Sequence, residues 1–270
     1  MPELPEVETY RRELAPELVG RTIEKAEVLW PRIIAEPSPG EFCQKAKKQE
    51  FDRFDRRGKY LIFSFIGGSS LIIHLRMTGE IHIHPPSVEP DKHTHVRFWL
   101  DDGRTLHYRD MRKFGRLWLV DNPGSVLFHL GPEPLDDSFT PERLATQLAR
   151  RKSKIKSLLL DQSVVAGVGN IYADEALFRA GIDPRRLGNS LSIVEVTALH
   201  GEIRNVLQWG IEKGGSTLQN YVRLGGLKGE FQHEHQVFRK TGQPCPKCGH
   251  PIERTVITQR STHFCSHCQT

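Results

Sequence analysis

The chain has 270 residues, 37% hydrophobic and 26% charged, with 23 glycines and 17 prolines that follow no repeating period. These values exclude collagen-like and disordered classes and leave room for one large domain or two ordinary ones with a sizeable core. Thirty-eight lysines and arginines against 33 acids give a net charge of +5, which points toward a polyanionic partner. The opening MPELPEVETYRRELAPEL is acidic and has no apolar signal-like centre, and the longest apolar runs, 61–66 and 71–75, are far below membrane-spanning length. Export and membrane insertion are therefore not expected.

Residues 5–18 are predicted as a helix. Pro5 suits its first turn, Glu6 and Glu8 sit where the helix dipole favours acids, and Val7, Tyr10, Leu14 and Leu18 recur at helical spacing. Short alternating or apolar runs at 22–29, 59–65, 70–75, 81–84, 95–100, 104–109 and 116–120 read as strands, with Asp102-Gly103 marking a hairpin. So many short strands predict a β-sandwich or barrel. The turn-rich, aperiodic stretch 131–140 is a domain boundary. Helices are predicted from Thr140 to Arg151, over 155–160, and over 170–180 with Gly181 as the stop. A fourth opens at a Ser192/Glu195 capping box and lines one face with Val196, Leu199, Ile203, Val206 and Gly210. Residues 214–230 are glycine-rich and long for a structureless connection, the mark of a functional or mobile loop.

Charge is unevenly spread. Leu144 to Leu160 contains no acid but five bases (Arg150, Arg151, Lys152, Lys154 and Lys156), and Gln232 to Thr270 has five bases against Glu234 and Glu253. Either run, read alone, is a phosphate-facing surface or simply a solvated basic face.

Four of the five cysteines form two C-x-x-C pairs, Cys245/Cys248 and Cys265/Cys268, sixteen residues apart. That is the spacing of a four-thiolate zinc ribbon holding one structural zinc, and so small a tail needs a staple to fold. Two disulfides or a redox pair are the alternatives. His250, His263 and His267 stand near enough in sequence to replace a ligand.

Pro2 becomes the N-terminus if Met1 is removed, which a small second residue permits. A terminal amine has a pKa of about 7.7–8.0 against about 10.4 for lysine, so a neutral, nucleophilic fraction exists at pH 7. Glu3 and Glu6 lie close enough to move protons. With Met1 attached, the Pro2 nitrogen is an amide and cannot form a Schiff base.

The start Pro2-Glu-Leu-Pro-Glu-Val-Glu-Thr9 resembles that of bacterial formamidopyrimidine-DNA glycosylases. The likeness continues through Arg56-Arg-Gly-Lys-Tyr60, His74-Leu-Arg-Met-Thr-Gly79, Tyr108-Arg-Asp-Met-Arg-Lys-Phe-Gly115, Asp161-Gln-Ser-Val-Val-Ala-Gly-Val-Gly-Asn-Ile-Tyr172 and the cysteine pairs. The resemblance implies an α+β multidomain fold: an N-terminal helix with a β-sandwich (1–131, catalytic), a helix-two-turn-helix domain carrying a lesion-recognition loop (132–230), and a zinc finger (231–270), with DNA in the cleft between domains. It implies a monomeric cytoplasmic bifunctional glycosylase/lyase acting on double-stranded DNA that contains 8-oxoguanine or formamidopyrimidines. Pro2 is its nucleophile and Glu3 its general acid, while Lys59 and Arg260 contact phosphate and assist elimination.

An enzyme of this kind must flip its nucleotide, and Met77, Arg112 and Phe114 match the family's void-filling trio, which implies that Arg112 faces the estranged cytosine. His74, His93, Lys152 and Asn170 match other DNA-contact positions. Ser216, Thr217 and Tyr221, in the loop from 216 to 221, together with Glu6, match the lesion-reading elements. Two competing readings remain. One is the related endonuclease VIII branch for oxidised pyrimidines, whose start resembles Pro-Glu-Gly-Pro-Glu where this chain has Leu4. The other is a non-catalytic zinc-ribbon DNA-binding protein, which leaves the N-terminal motif without a purpose.

Overall fold

In the computed structural model residues 2–218 and 221–270 are described. Met1 and positions 219 and 220, on which the expectation of N-terminal processing and part of the reading loop fall, lie outside them. Two compact units form: Met1–Phe128 with Gly214–Gly229, and His129–Lys213 with Glu230–Thr270. No helix among the described residues is long and apolar enough to cross a membrane.

The first unit opens with α1 (Leu4–Leu18), which buries Val7, Tyr10, Leu14 and Leu18 as its spacing predicts. Then come β1 (Ile23–Val28), β2 (Ile34–Glu36), α2 (Pro39–Ala46), β3 (Phe51–Arg57), β4 (Tyr60–Phe65), β5 (Ser70–His74), β6 (Gly79–His84), β7 (Thr94–Leu100), β8 (Thr105–Asp110), β9 (Arg116–Val120) and the single-turn α3 (Gly124–Leu127). The strands form two sheets, ordered β1-β7-β8-β6 and β2-β9-β5-β4-β3. All pairings are antiparallel except β2 with β9. Inward residues of both sheets, among them Phe98 and Leu106 of one and Phe63 and Leu117 of the other, share one core with α1. This is the expected sandwich.

Sequence reading passes over β2, α2 and β3, and the reasons are physical. A register irregularity between Phe51 and Arg53 lets Phe51 and Phe54 both point inward three residues apart, which erases the period-two signal of β3. β2 is three residues long, and α2 is a short helix announced only by its Ser38/Glu41 capping box.

The second unit contains α4 (Pro141–Ala149), α5 (Ile155–Leu160), α6 (Asn170–Ala180) and α7 (Ile193–Glu212), then the hairpin β10 (Glu253–Ile257) and β11 (Arg260–Phe264). Thr140 caps α4, Ser192 and Glu195 cap α7, and Gly181 ends α6 at φ +72°. The ribbon, expected as a body of its own, shares a small core of Val237, Cys245, Ile252 and Cys265 with Phe178 of α6. Residues 214–229, expected with the helical domain, belong to the first unit because α1 holds them. Tyr10 Oη donates to Val222 O at 2.7 Å, and Glu13 accepts from Arg223 Nε at 2.6 Å and from Leu224 N at 2.9 Å.

Candidate active site

Pro2 and Glu3 lie just ahead of α1 and are buried. Glu3 is the N-cap residue in extended conformation, and its N–H donates to Glu6 Oε2 at 2.8 Å. The other oxygen, Glu6 Oε1, accepts the N–H of Ser216 at 2.8 Å. One carboxylate in the first turn thus ties the helix start to the 214–229 segment. Within that segment Thr217 Oγ1 accepts the N–H of Gly229 at 2.9 Å, and Tyr221 Oη donates to Gly214 O at 3.1 Å while its ring stands edge-on to Tyr10. The hydroxyls of Thr217 and Tyr221 therefore bond within the segment itself.

Arg57 pairs with Tyr60, so Gly58 and Lys59 make the two-residue turn between β3 and β4. Gly58 takes φ +55°, which the first central position of such a turn allows to glycine. The turn is braced from α1. Glu8 Oε2 accepts from Arg56 Nε at 3.2 Å, Arg56 Nη1 donates to Gly58 O at 3.1 Å, and Arg11 and Arg12 bind Glu8 Oε1 at 2.7 and 2.8 Å. Burial pushes the Glu8 carboxyl up, but the arginines outweigh it and hold the pKa at about 2. The anchor stays anionic, and Lys59, in the turn that Arg56 braces, is only 5% exposed. His74, at the end of β5, is buried with its ring edge-on to Tyr60, and its Nδ1 accepts the N–H of Arg76 at 3.0 Å.

Two loops carry the proposed void-filling residues, 75–78 between β5 and β6 and 111–115 between β8 and β9. Both close over Tyr108. A Cβ on Gly115 would lie 1.7 Å from the Tyr108 hydroxyl, and one on Gly79 would lie 2.7 Å from it, so only glycine fits. Asp110, fully buried, organises both loops. Its Oδ1 accepts from Thr78 Oγ1 at 2.5 Å and from Arg112 N at 3.1 Å, and its Oδ2 accepts from Gly115 N at 2.7 Å. Above this frame the Arg112 guanidinium stacks on Phe114 at 4.6 Å and its Nη1 reaches Met77 Sδ at 3.2 Å. Arg112 thus touches both of the other residues named from the sequence, and Arg112 and Phe114 are exposed. His93 is half-buried, and its carbonyl accepts the N–H of Asp110 at 2.9 Å, which puts it at the base of the second loop.

In the second unit Lys152 is exposed between α4 and α5 and, with Arg151, Lys154, Ser157 and Thr258, lines a cavity of about 840 Å³. Asn170 opens α6, and its Nδ2 donates to Ser261 O at 3.0 Å, next to Arg260. Arg260 is the exposed first residue of β11, following a two-residue turn in which Thr258 and Gln259 have φ +49° and +58°. Behind the hairpin lies a fully buried ion pair. Lys156 Nζ meets Asp174 Oδ1 at 2.7 Å and donates to Ser261 O at 2.7 Å, while Asp174 Oδ2 accepts from His263 N at 3.0 Å. Removing one partner of such a pair strands a buried charge, so it holds the Arg260 strand to α5 and α6. Sequence reading counted Lys156 among surface bases and did not name Asp174, Asp110 or Thr78. For Asp110 and Thr78 the signal was present in the quoted motifs.

The four cysteine Sγ atoms lie within 4.8 Å of one another, with Cys245 to Cys268 at 3.9 Å and Cys248 to Cys265 at 3.6 Å. Zinc–sulfur bonds of about 2.3 Å in a tetrahedron require sulfur separations of about 3.8 Å. The donor set fits one structural zinc with no open position. None of His250, His263 and His267 is part of the cluster, and the His263 ring faces Asp174.

Three family models match the chain: the formamidopyrimidine-DNA glycosylase N-terminal domain over residues 1–117, the formamidopyrimidine-DNA glycosylase H2TH domain over 130–222, and the zinc finger found in FPG and IleRS over 242–270. The formamidopyrimidine-DNA glycosylase of Symbiobacterium thermophilum is 49% identical over 100% of this chain and 89% of its own length, and that of Herpetosiphon aurantiacus is 48% identical over 100% of both. Among solved structures, the MutM (FPG) protein of Thermus thermophilus superposes with a TM-score of 0.90 at 43% identity, covering 99% of this chain and 98% of that one. A Lactococcus lactis FPG variant in complex with Fapy-dG containing DNA gives 0.94 at 37% identity, covering 99% of each chain. Motifs, sandwich, helical unit and cysteine cluster agree with these matches along the whole length, and the chain belongs to the formamidopyrimidine-DNA glycosylase family.

Proposed function

We propose that the chain excises oxidised purines, 8-oxoguanine and formamidopyrimidines, from duplex DNA and then cleaves the strand, using the secondary amine of Pro2. It acts as a monomer on DNA in the bacterial cytoplasm. Relatives solved with Fapy-dG and with carbocyclic 8-oxo-G containing DNA support the substrate class. The observation that carries the mechanism is the corner at the start of α1, where Pro2 and Glu3 are buried and the Glu3 backbone is held by Glu6.

The Pro2 nitrogen attacks C1′ as the bond from C1′ to the base breaks, the proton that the amine sheds neutralises the departing base, and Glu3 supplies the proton to the ring oxygen that opens the sugar. The resulting iminium acidifies the C2′ hydrogen. Its loss expels the 3′ phosphate, and a second elimination expels the 5′ phosphate. Lys59 and Arg260 contact phosphates and serve the eliminations, and Asn170, Lys152, His93 and His74 take part in holding the strand. When bound, zinc supplies structure only: Cys245, Cys248, Cys265 and Cys268 hold it, and the ribbon presents Arg260.

Borohydride reduction on duplex containing 8-oxoguanine opposite cytosine tests the reading. The chain processed to begin at Pro2 becomes covalently attached to DNA, and a form extended at its N-terminus neither attaches nor incises. Attachment of the extended form would make another amine, with Lys59 the first candidate, the nucleophile. Stronger incision of oxidised pyrimidines than of oxidised purines would favour the endonuclease VIII activity instead.

A further inference from the structure

The loop that carries Arg112 and Phe114 is held from below by Asp110, and Lys113, an exposed turn position between them, takes the left-handed conformation at φ +59°. Its ammonium sits 3.8 Å from the centroid of the Trp30 ring. Trp30 follows β1 and is itself fixed. It packs against the sandwich core, and the N–H groups of Leu29 and Trp30 both donate to His95 O, at 2.8 and 3.3 Å. The His95 ring in turn bonds through Nε2 to Asp110 O at 2.7 Å. Burial disfavours the charged form of that imidazole, and a carbonyl acceptor requires that Nε2 carry the proton. Trp30, His95 and Asp110 thus form one rigid bracket, and Lys113 is the strut that runs from it to the tip of the loop.

We infer that Trp30 and Lys113 are positioning residues for opposite-base discrimination: the ammonium–indole contact fixes the loop tip so that Arg112 and Phe114 enter the duplex in one orientation. This rests on the proposed role of Arg112 as the reader of the estranged base. Neither residue touches DNA in order to act. A lysine free to swing toward phosphate would strengthen binding to every duplex equally, whereas one engaged on an indole spends its charge within the protein.

The test is single-turnover excision of 8-oxoguanine opposite cytosine and opposite adenine, with borohydride trapping at an abasic site as a reference that depends on Pro2. Lys113→Met and Trp30→Leu should each lower the cytosine-over-adenine preference about 2- to 5-fold, the range of an exposed cation–aromatic contact. The double variant should lose no more than either single one, while Lys113→Arg and Trp30→Tyr retain the preference. Lys113 is exposed, so its substitution does not threaten the core even if that of Trp30 does. The inference is overturned if Lys113→Met weakens both duplexes equally with a shallower salt dependence, which marks a phosphate contact. A parallel fall in trapping also overturns it, because that marks a general structural role. Arg112→Ala separates the two levels. If it leaves the preference intact, the reader is misassigned; if it abolishes the preference while Trp30→Leu and Lys113→Met do not, the reader stands and the bracket fails.

Discussion

Asp110 concentrates more of the candidate site's geometry than any residue proposed to reach DNA. It is fully buried, and its two oxygens accept from Thr78, Arg112 and Gly115. Asp110→Ala therefore strands two donors, Thr78 Oγ1 and Gly115 N, while Arg112 N keeps Thr78 Oγ1 at 3.1 Å, and it should cost about 1–3 kcal/mol for each donor that stays unpaired. Chemical denaturation measures the loss, and affinity for lesion duplex should fall with it. Glu3→Gln keeps size and the backbone bond to Glu6 while removing the transferable proton; excision should be lost with DNA affinity largely kept, and parallel loss of both would make Glu3 structural. Arg112→Ala should flatten the preference for cytosine over adenine by roughly 1–3 kcal/mol, whereas Lys152→Ala should weaken all duplexes alike and shallow the salt dependence by about one counterion.

His107 carries a pH prediction. It is 2% exposed on β8 opposite Arg97, its Nε2 has no hydrogen-bond partner, and burial together with His84, Arg97 and His82 depresses its pKa from 6.5 to about 4. Between those values the unfolded chain binds a proton that the folded chain refuses, so stability falls as pH drops from about 6.5 to 4 and is unaffected by this residue above that window. His107→Phe should remove this part of the acid sensitivity, read from denaturation midpoints at pH 7 and pH 5. An unchanged slope would show that the imidazole is protonated in the folded state.

At the scale of elements, the site is a set of termini and turns mounted on regular structure. The α1 start carries Pro2 and Glu3, the β3–β4 turn carries Lys59, and the β8–β9 loop carries Arg112 and Phe114. Gly115→Ala would drive a methyl group to 1.7 Å from a buried tyrosine oxygen, and both loops around Tyr108 must then shift. Overpacking of this kind costs typically about 1–3 kcal/mol, and opposite-base preference should drop with stability, measured by the paired-duplex assay and thermal unfolding. The ribbon's shared core is too small to stand without its metal. Cys248→Ser or a chelator should therefore unfold residues 242–270 and weaken DNA binding, with zinc content near one per chain in the intact protein. Full affinity in metal-free protein would remove Arg260 from the interface.

Across the whole molecule the two compact units make that experiment readable. Trp30, Trp99 and Trp118 belong to the first unit and Trp209 to the second, so loss of zinc should leave most of the tryptophan signal and its denaturation midpoint in place. The sequence by itself determined what is local. Helix α1 follows from apolar spacing and first-turn acids, α7 from its capping box, α6 from its glycine stop, most sandwich strands from short-range patterning, and the cysteine cluster from C-x-x-C spacing, because each of these depends on residues a few positions apart. The chemical roles were legible only as contiguous motifs.

Tertiary structure decided what depends on residues far apart in the chain. Phe51 and Phe54 face one core only because of a bulge against β4, Glu6 meets Ser216 across 210 positions, and Lys156 leaves the basic surface run to pair with Asp174 beneath the zinc hairpin. The 214–229 segment, which reads as loose by composition, is held down by Glu6, Tyr10 and Glu13. No periodicity encodes such pairings, since a buried charge or an unpaired N–H selects its partner by position in space.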